Sequence, residues 1–191
     1  MFKEISMKTT KLLIENNIID QEDKNIYEYG FETLIYFTVN ILIALIIGLI
    51  FGKLLNTIVF LICYCTIRQF SGGYHANSYG KCTLTFVFIY LVTIFISHNL
   101  NILKFKYILI LISIINSFII WNIAPLEHRN NPLSSNDKVH YKKISTKISI
   151  LISIINILSL LFNILQVYIV FSIYATFWIS VLLIIGFYKR E

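Results

Sequence analysis

The sequence predicts an all-helical, polytopic integral membrane bundle of about six transmembrane helices, preceded by a surface-lying helical region. Three observations predict it. Hydrophobic residues make up 57% of the 191 residues and charged residues 14%, which leaves too little polar side chain to clothe a soluble globule. Uncharged runs recur at lengths that match a hydrocarbon core of about 30 Å at about 1.5 Å per helical residue. Lysine and arginine gather in alternate connections instead of being spread along the chain. No repeat, linker or composition shift divides the chain, so residues 1–191 are expected to form one membrane domain.

Residues 1–32 hold four lysines (Lys3, Lys8, Lys11, Lys24) against seven carboxylates. They lack an apolar h-region, so no cleavable signal peptide is expected. Ile5, Leu12, Leu13, Ile18 and Ile19 give a loose helical stripe. Asp20–Asp23 has the acidic character of a helix start. Two short, partly amphipathic helices, resting at the cytoplasmic membrane surface or packed against the bundle, are the expectation.

The spans follow. Thr33–Gly52 is twenty uncharged residues, enough to cross. Beyond Lys53 come Leu54–Ile67 and, past a polar stretch, Thr83–Ser97. Both are short for a span, which would set residues 68–82 between them slightly within the membrane. Tyr107–Leu126 is full length and ends at an interfacial Trp121 and at Pro125. Glu127–Lys147 reads as the longest polar loop, shaped by Pro125 and Pro132. Ile148–Tyr188 runs for forty-one uncharged residues. As one helix it would reach about 60 Å, so it must be two spans, with the break at Asn163–Gln166. Six spans place both ends on one side. With residues 1–32, 68–82, 127–147 and 189–191 cytoplasmic, only Lys53, Lys104 and Lys106 fall outside, as the positive-inside rule prefers.

The stretch Arg68–Cys82 carries the chemistry. A thiol and an imidazole are the minimum for nucleophilic acyl transfer, because the imidazole can take the thiol proton. Two helical turns would separate His75 and Cys82 by about 10 Å along the axis. A hydrogen bond needs about 3–3.5 Å, so the backbone must fold back between them. Gly80 and the Asn77-Ser78 pair permit that bend. Taken singly, Cys82 reads as a structural thiol and His75 as an interfacial histidine; the pair is what points to catalysis. Lys81, His75 and a helix N-terminus at the following span would favour the thiolate. Gly72 and Gly73 either let N–H groups converge on an oxyanion or make a plain turn. Arg68 either meets a substrate carboxylate or anchors a helix end. Between Tyr36 and Leu126 there is no Asp or Glu. A group to orient the imidazole must therefore be Asn77, Ser78 or a carbonyl, or an acid from the N-terminal segment, Glu127 or Asp137.

Other chemistries are weaker. Cys63 and Cys65 would project about 200° apart on a helix, which argues against a zinc set with His75 and Cys82. No metal or other cofactor is expected, and phosphate-loop, dinucleotide and HExxH patterns are absent. Lys138, Lys142, Lys143 and Lys147 suit anionic lipid headgroups, and no nucleic-acid partner is expected. A small transporter or peptide exporter is the alternative class. It is disfavoured because the spans carry no ionisable side chain of the acidic or basic kind apart from Lys53 at a boundary.

Arg68, Gly72-Gly73, His75-Ala76 and Cys82 resemble the core motif of the accessory gene regulator protein B (AgrB) family. Ala124-Pro125-Leu126 with Asn131-Pro132-Leu133 resembles that family's second motif, and length and hydrophobic profile agree along the chain. The resemblance implies a membrane-embedded cysteine endopeptidase of the bacterial cell membrane, with His75 and Cys82 catalytic. It would cut an AgrD-like signal pro-peptide at the cytoplasmic face, through an acyl-enzyme thioester, on the way to a cyclic autoinducing peptide for quorum sensing. It also allows for a homodimer.

Overall fold

A computed structural model describes residues 2–73, 79–127 and 133–189. His75, Asn77, Ser78, Asn131 and Pro132 lie outside these residues. Among the described residues there are seven α-helices, and six helical segments are long and apolar enough to cross a membrane. The chain is a multi-pass helical membrane protein.

Helix α1 (Phe2–Glu15) folds back on α2 (Lys24–Ile50). Its buried face is small and polar. Ser6 and Thr10 are fully covered, Ser6 Oγ donates to Glu28 O at 2.5 Å, and the Phe2 ring meets Tyr36 edge-on at 5.2 Å. Small side chains let the two backbones approach, while Ile5 and Leu12 stay exposed. The second short helix expected in this region is instead the start of a 27-residue α2, entered through a single 3-10 turn, Gln21–Asp23. Gly30 is the weakest helix former between Lys24 and Thr33, and its cost of about 1 kcal/mol does not break a helix this long.

Gly52, at φ 63°, turns α2 into α3 (Leu54–Ser71). Helix α4 (Tyr79–Asn99) follows residues 74–78. The two apolar runs that looked short become helices of 18 and 21 residues, the first by absorbing Arg68–Ser71 and the second by absorbing Tyr79–Cys82 and His98–Asn99. At 1.5 Å per residue they reach about 27 and 31 Å, the thickness of the hydrocarbon core. Helix α5 (Ile102–Ile123) starts with the Asn101 side chain accepting from the Lys104 N–H.

Residues 135–147, expected as loop, are helical. They open α6 (Ser135–Phe162), 28 residues long. The Ser134 side chain caps the helix by accepting from the Asp137 N–H at 3.2 Å, and its hydroxyl donates to the Asp137 carboxylate at 2.6 Å. The break between the last two spans falls where length requires it. Asn163 and Leu165 take left-handed conformations, and α7 (Gln166–Tyr188) begins. Lys106 Nζ donates to Leu161 O and Asn163 Oδ1, closing the end of α6.

Helix α7 is the hub, packing on α3, α5, α6 and α4. Small polar residues join α5 to α6 on one side and to α7 on the other. Ser153 donates to Ser113 O, Asn156 to Ser113 Oγ, Asn116 to Thr176 and Ser180 to Asn116 O. Lipid tails are as apolar as leucine, so burying leucine gives helices little reason to associate in a bilayer; close backbone approach and interhelical hydrogen bonds do so instead.

Candidate active site

The end of α3 and the start of α4 lie at one end of the bundle, together with the end of α5 and the start of α6. Gly72 ends α3 with φ 63° and ψ −142°, a conformation essentially confined to glycine. From there the chain pairs with the end of α5. The Leu126 N–H donates to Ser71 O at 2.9 Å, and Gly72 and Leu126 form an isolated parallel bridge. A Cβ on Gly72 would run into the Leu126 carbonyl, and one on Gly73 (φ 123°) into the Arg68 guanidinium. The glycine pair therefore permits two close approaches at once. Arg68 Nη1 and Ser71 Oγ both donate to Gly72 O, while the Gly72 N–H donates to Arg68 O. Around this knot Glu127 pairs with Lys138, and the Phe70 ring meets Tyr141 edge-on at 5.6 Å. The two motif patches, far apart in sequence, are joined in space.

Cys82 sits in the first turn of α4, half-buried. There the helix presents N–H groups that have no intrahelical acceptor. What faces the thiol follows from register. On α3, Phe60, Tyr64 and Arg68 are one turn apart; on α4, Tyr90, Phe86 and Cys82 are too. Phe60 meets Tyr90 at 5.3 Å between ring centroids and Tyr64 meets Phe86 at 5.6 Å. One more turn of these antiparallel helices sets Arg68 opposite Cys82. The other cysteines are placed differently: Cys63 is buried with its Sγ 3.4 Å from Ser172 Oγ on α7, and Cys65 is half-buried.

Of the residues singled out in the sequence, the fold brings Arg68, Gly72, Gly73 and Cys82 to one place, with Ala124–Glu127 beside them. Sequence reasoning passed over Ser71, whose carbonyl holds the Leu126 N–H, and Tyr141, which meets Phe70; both depend on which helix ends lie side by side.

A multi-pass helical membrane protein whose polar motif closes against the end of a later span, with a thiol in the first turn of a span, is the class defined so far. The model of the family Accessory gene regulator B matches residues 6–186. Two curated relatives are both from Clostridium perfringens. "Putative AgrB-like protein 2" of strain 13 / Type A is 32% identical over 148 residues, covering 74% of this chain and 69% of the relative. "Putative AgrB-like protein" of strain SM101 / Type A is 35% identical over 150 residues, with the same coverage. No solved structure matches. The chain belongs to the accessory gene regulator B family, and that membership ties it to accessory gene regulator signalling.

Proposed function

We propose that this protein is a membrane-embedded cysteine endopeptidase that cleaves a quorum-sensing signal pro-peptide at the cytoplasmic face and promotes its cyclisation. The observation that carries this reading is Cys82 in the first turn of α4, opposite Arg68 and beside the joined motifs. Cys82 is the nucleophile. His75, seven residues earlier, is the general base that takes the thiol proton. The thiolate adds to the scissile carbonyl, the imidazolium returns its proton to the departing amine, and a thioester remains on Cys82. A side chain of the same peptide then displaces the thiol and closes the ring. Gly72 and Gly73 serve the site through the close approaches they permit, and Arg68 both ties down the end of α3 and supplies positive charge opposite the thiol. Asn77 and Ser78 shape the approach of His75. The distribution of lysine and arginine supports cytoplasmic termini in the bacterial cell membrane.

The test is co-expression with the small open reading frame beside the gene, followed by mass spectrometry of that peptide. Cys82→Ala and His75→Ala should each abolish cleavage, and the double variant should be no worse than either, because the two groups act as one unit. Cys63→Ala and Cys65→Ala should retain activity. Full cleavage by Cys82→Ala would refute the reading.

A further inference from the structure

Helices α5 and α6 meet at mid-bilayer around two side chains. Ser113 is the twelfth of the 22 residues of α5, and Asn156 of α6 lies against it. Asn156 Nδ2 donates to Ser113 Oγ at 3.2 Å, and Ser153 Oγ donates to Ser113 O at 3.2 Å. The pair is sealed from lipid, with Asn156 1% exposed and Ser113 2%. Leu160, one turn beyond Asn156, packs with Leu109 of α5 and with Ile169, Val170 and Ile173 of α7.

Two hydrogen-bonding capacities are left over. Asn156 Oδ1 is buried and has no hydrogen-bond partner among the described residues. Ser113 Oγ accepts from Asn156, while its own proton meets no acceptor among those residues. Helices α5, α6 and α7, which enclose the pair, are described over their whole lengths. Elsewhere the same α5–α6 contact is satisfied, as where Ser117 Oγ donates to Ser149 O. An amide oxygen left unpaired away from solvent costs about 1–3 kcal/mol, and hydrocarbon offers it no donor.

The leftover capacities select the occupant. One is an acceptor and the other a donor, on side chains that already touch. A metal cation takes acceptors only and leaves the serine proton without a partner. An anion takes donors only. A peptide or a second chain does not reach atoms covered this completely. Water gives one bond and accepts another, and two polar partners are the minimum that a buried water requires. We propose that the α5–α6 contact binds one ordered water at mid-bilayer, which donates to Asn156 Oδ1 and accepts from the Ser113 hydroxyl. The water then ties the two helices together as a direct hydrogen bond would. The site does not depend on the chemistry proposed for Cys82.

The experiment uses the full chain in nanodiscs and X-ray radiolysis of water, which oxidises side chains lying against bound water; mass spectrometry reads the oxidation rate residue by residue. The Leu160 side chain leans back along α6 toward Asn156 and is 0% exposed, so radicals formed in bulk solvent do not reach it. Leu160 should be oxidised several times faster than Leu61, which is 7% exposed near the middle of α3. Asn156→Leu keeps the volume and removes the acceptor, and Ser113→Ala removes the donor. Each should bring Leu160 down to the rate of Leu61. Equal rates for Leu160 and Leu61 in the native chain, a comparison that needs no variant, would show a dry contact and overturn the proposal. So would oxidation of Leu160 that survives both substitutions. A native Leu160 rate that falls when sodium or potassium replaces choline at equal ionic strength would make the occupant a cation and overturn it as well.

Discussion

Gly72→Ala tests the knot between the two motifs most directly. The native φ of 63° with ψ −142° costs a residue with a side chain about 1–3 kcal/mol. Relief requires the segment to move away from the Leu126 carbonyl, which sacrifices the 2.9 Å bond from Leu126 N–H to Ser71 O, worth about 1 kcal/mol. Together these are about 2–4 kcal/mol, or roughly a 30- to 700-fold fall in the ratio of closed to open junction. The helices should be untouched, because Gly72 lies beyond the last residue of α3. The assay uses Leu126→Cys in a cysteine-free background. At 6% exposure this position should resist a small thiol reagent in open membranes, and adding Gly72→Ala should make it react. In the otherwise native chain, Gly72→Ala should reduce pro-peptide cleavage by at least tenfold while membrane content stays the same. A still-protected position 126, or undiminished cleavage alongside a labelled one, would refute the reasoning.

Three further outcomes are expected. Single cysteines at Lys53 and Lys104 should react with a membrane-impermeant thiol reagent in intact cells, whereas one at Lys143 should not; external labelling at 143 would overturn the orientation. Gly48→Ala should lower the thermal stability of the detergent-solubilised protein by about 1–3 kcal/mol, because its methyl group is forced into Thr57 where that residue meets Tyr90; an unchanged unfolding temperature would show that α2 can shift away. Deleting residues 1–20 should leave insertion intact and reduce cleavage, since α1 is no span and holds to the first part of α2 through Phe2 and Ser6; loss of the protein from the membrane would assign the segment a structural role.

The spans were legible because a bilayer imposes a minimum apolar length, and the Asn163 break because forty-one uncharged residues cannot be one span. Helix ends were less legible. Charge was read as loop in residues 127–147, yet a lysine-rich segment without glycine or proline from Ser135 to Lys147 is a good helix, and Ser134 with Asp137 was its start signal. The same error split the beginning of α2 from its span. In the site, the importance of Arg68, Gly72, Gly73 and Cys82 could be suspected from their types, but their partners could not. That Ser71 would bond Leu126, or that Phe70 would meet Tyr141, depends on which helices lie side by side, and a single sequence does not carry that pairing.

The thiol rides on the helix that is least gripped. Helix α4 makes fewer close backbone approaches than any other span, touching α2 and α7 lightly and reaching α3 mainly through the rings of Tyr90 and Phe86. Its position along α3 is set by a few contacts, the Tyr90 hydroxyl on Thr57 and Thr93 on Trp178 among them. Arg68 belongs to α3, which is locked against the hub. On the function proposed above, a change of lipid acyl-chain length that slid α4 along α3 would carry Cys82 away from Arg68, and processing should then fall as the bilayer is thickened or thinned.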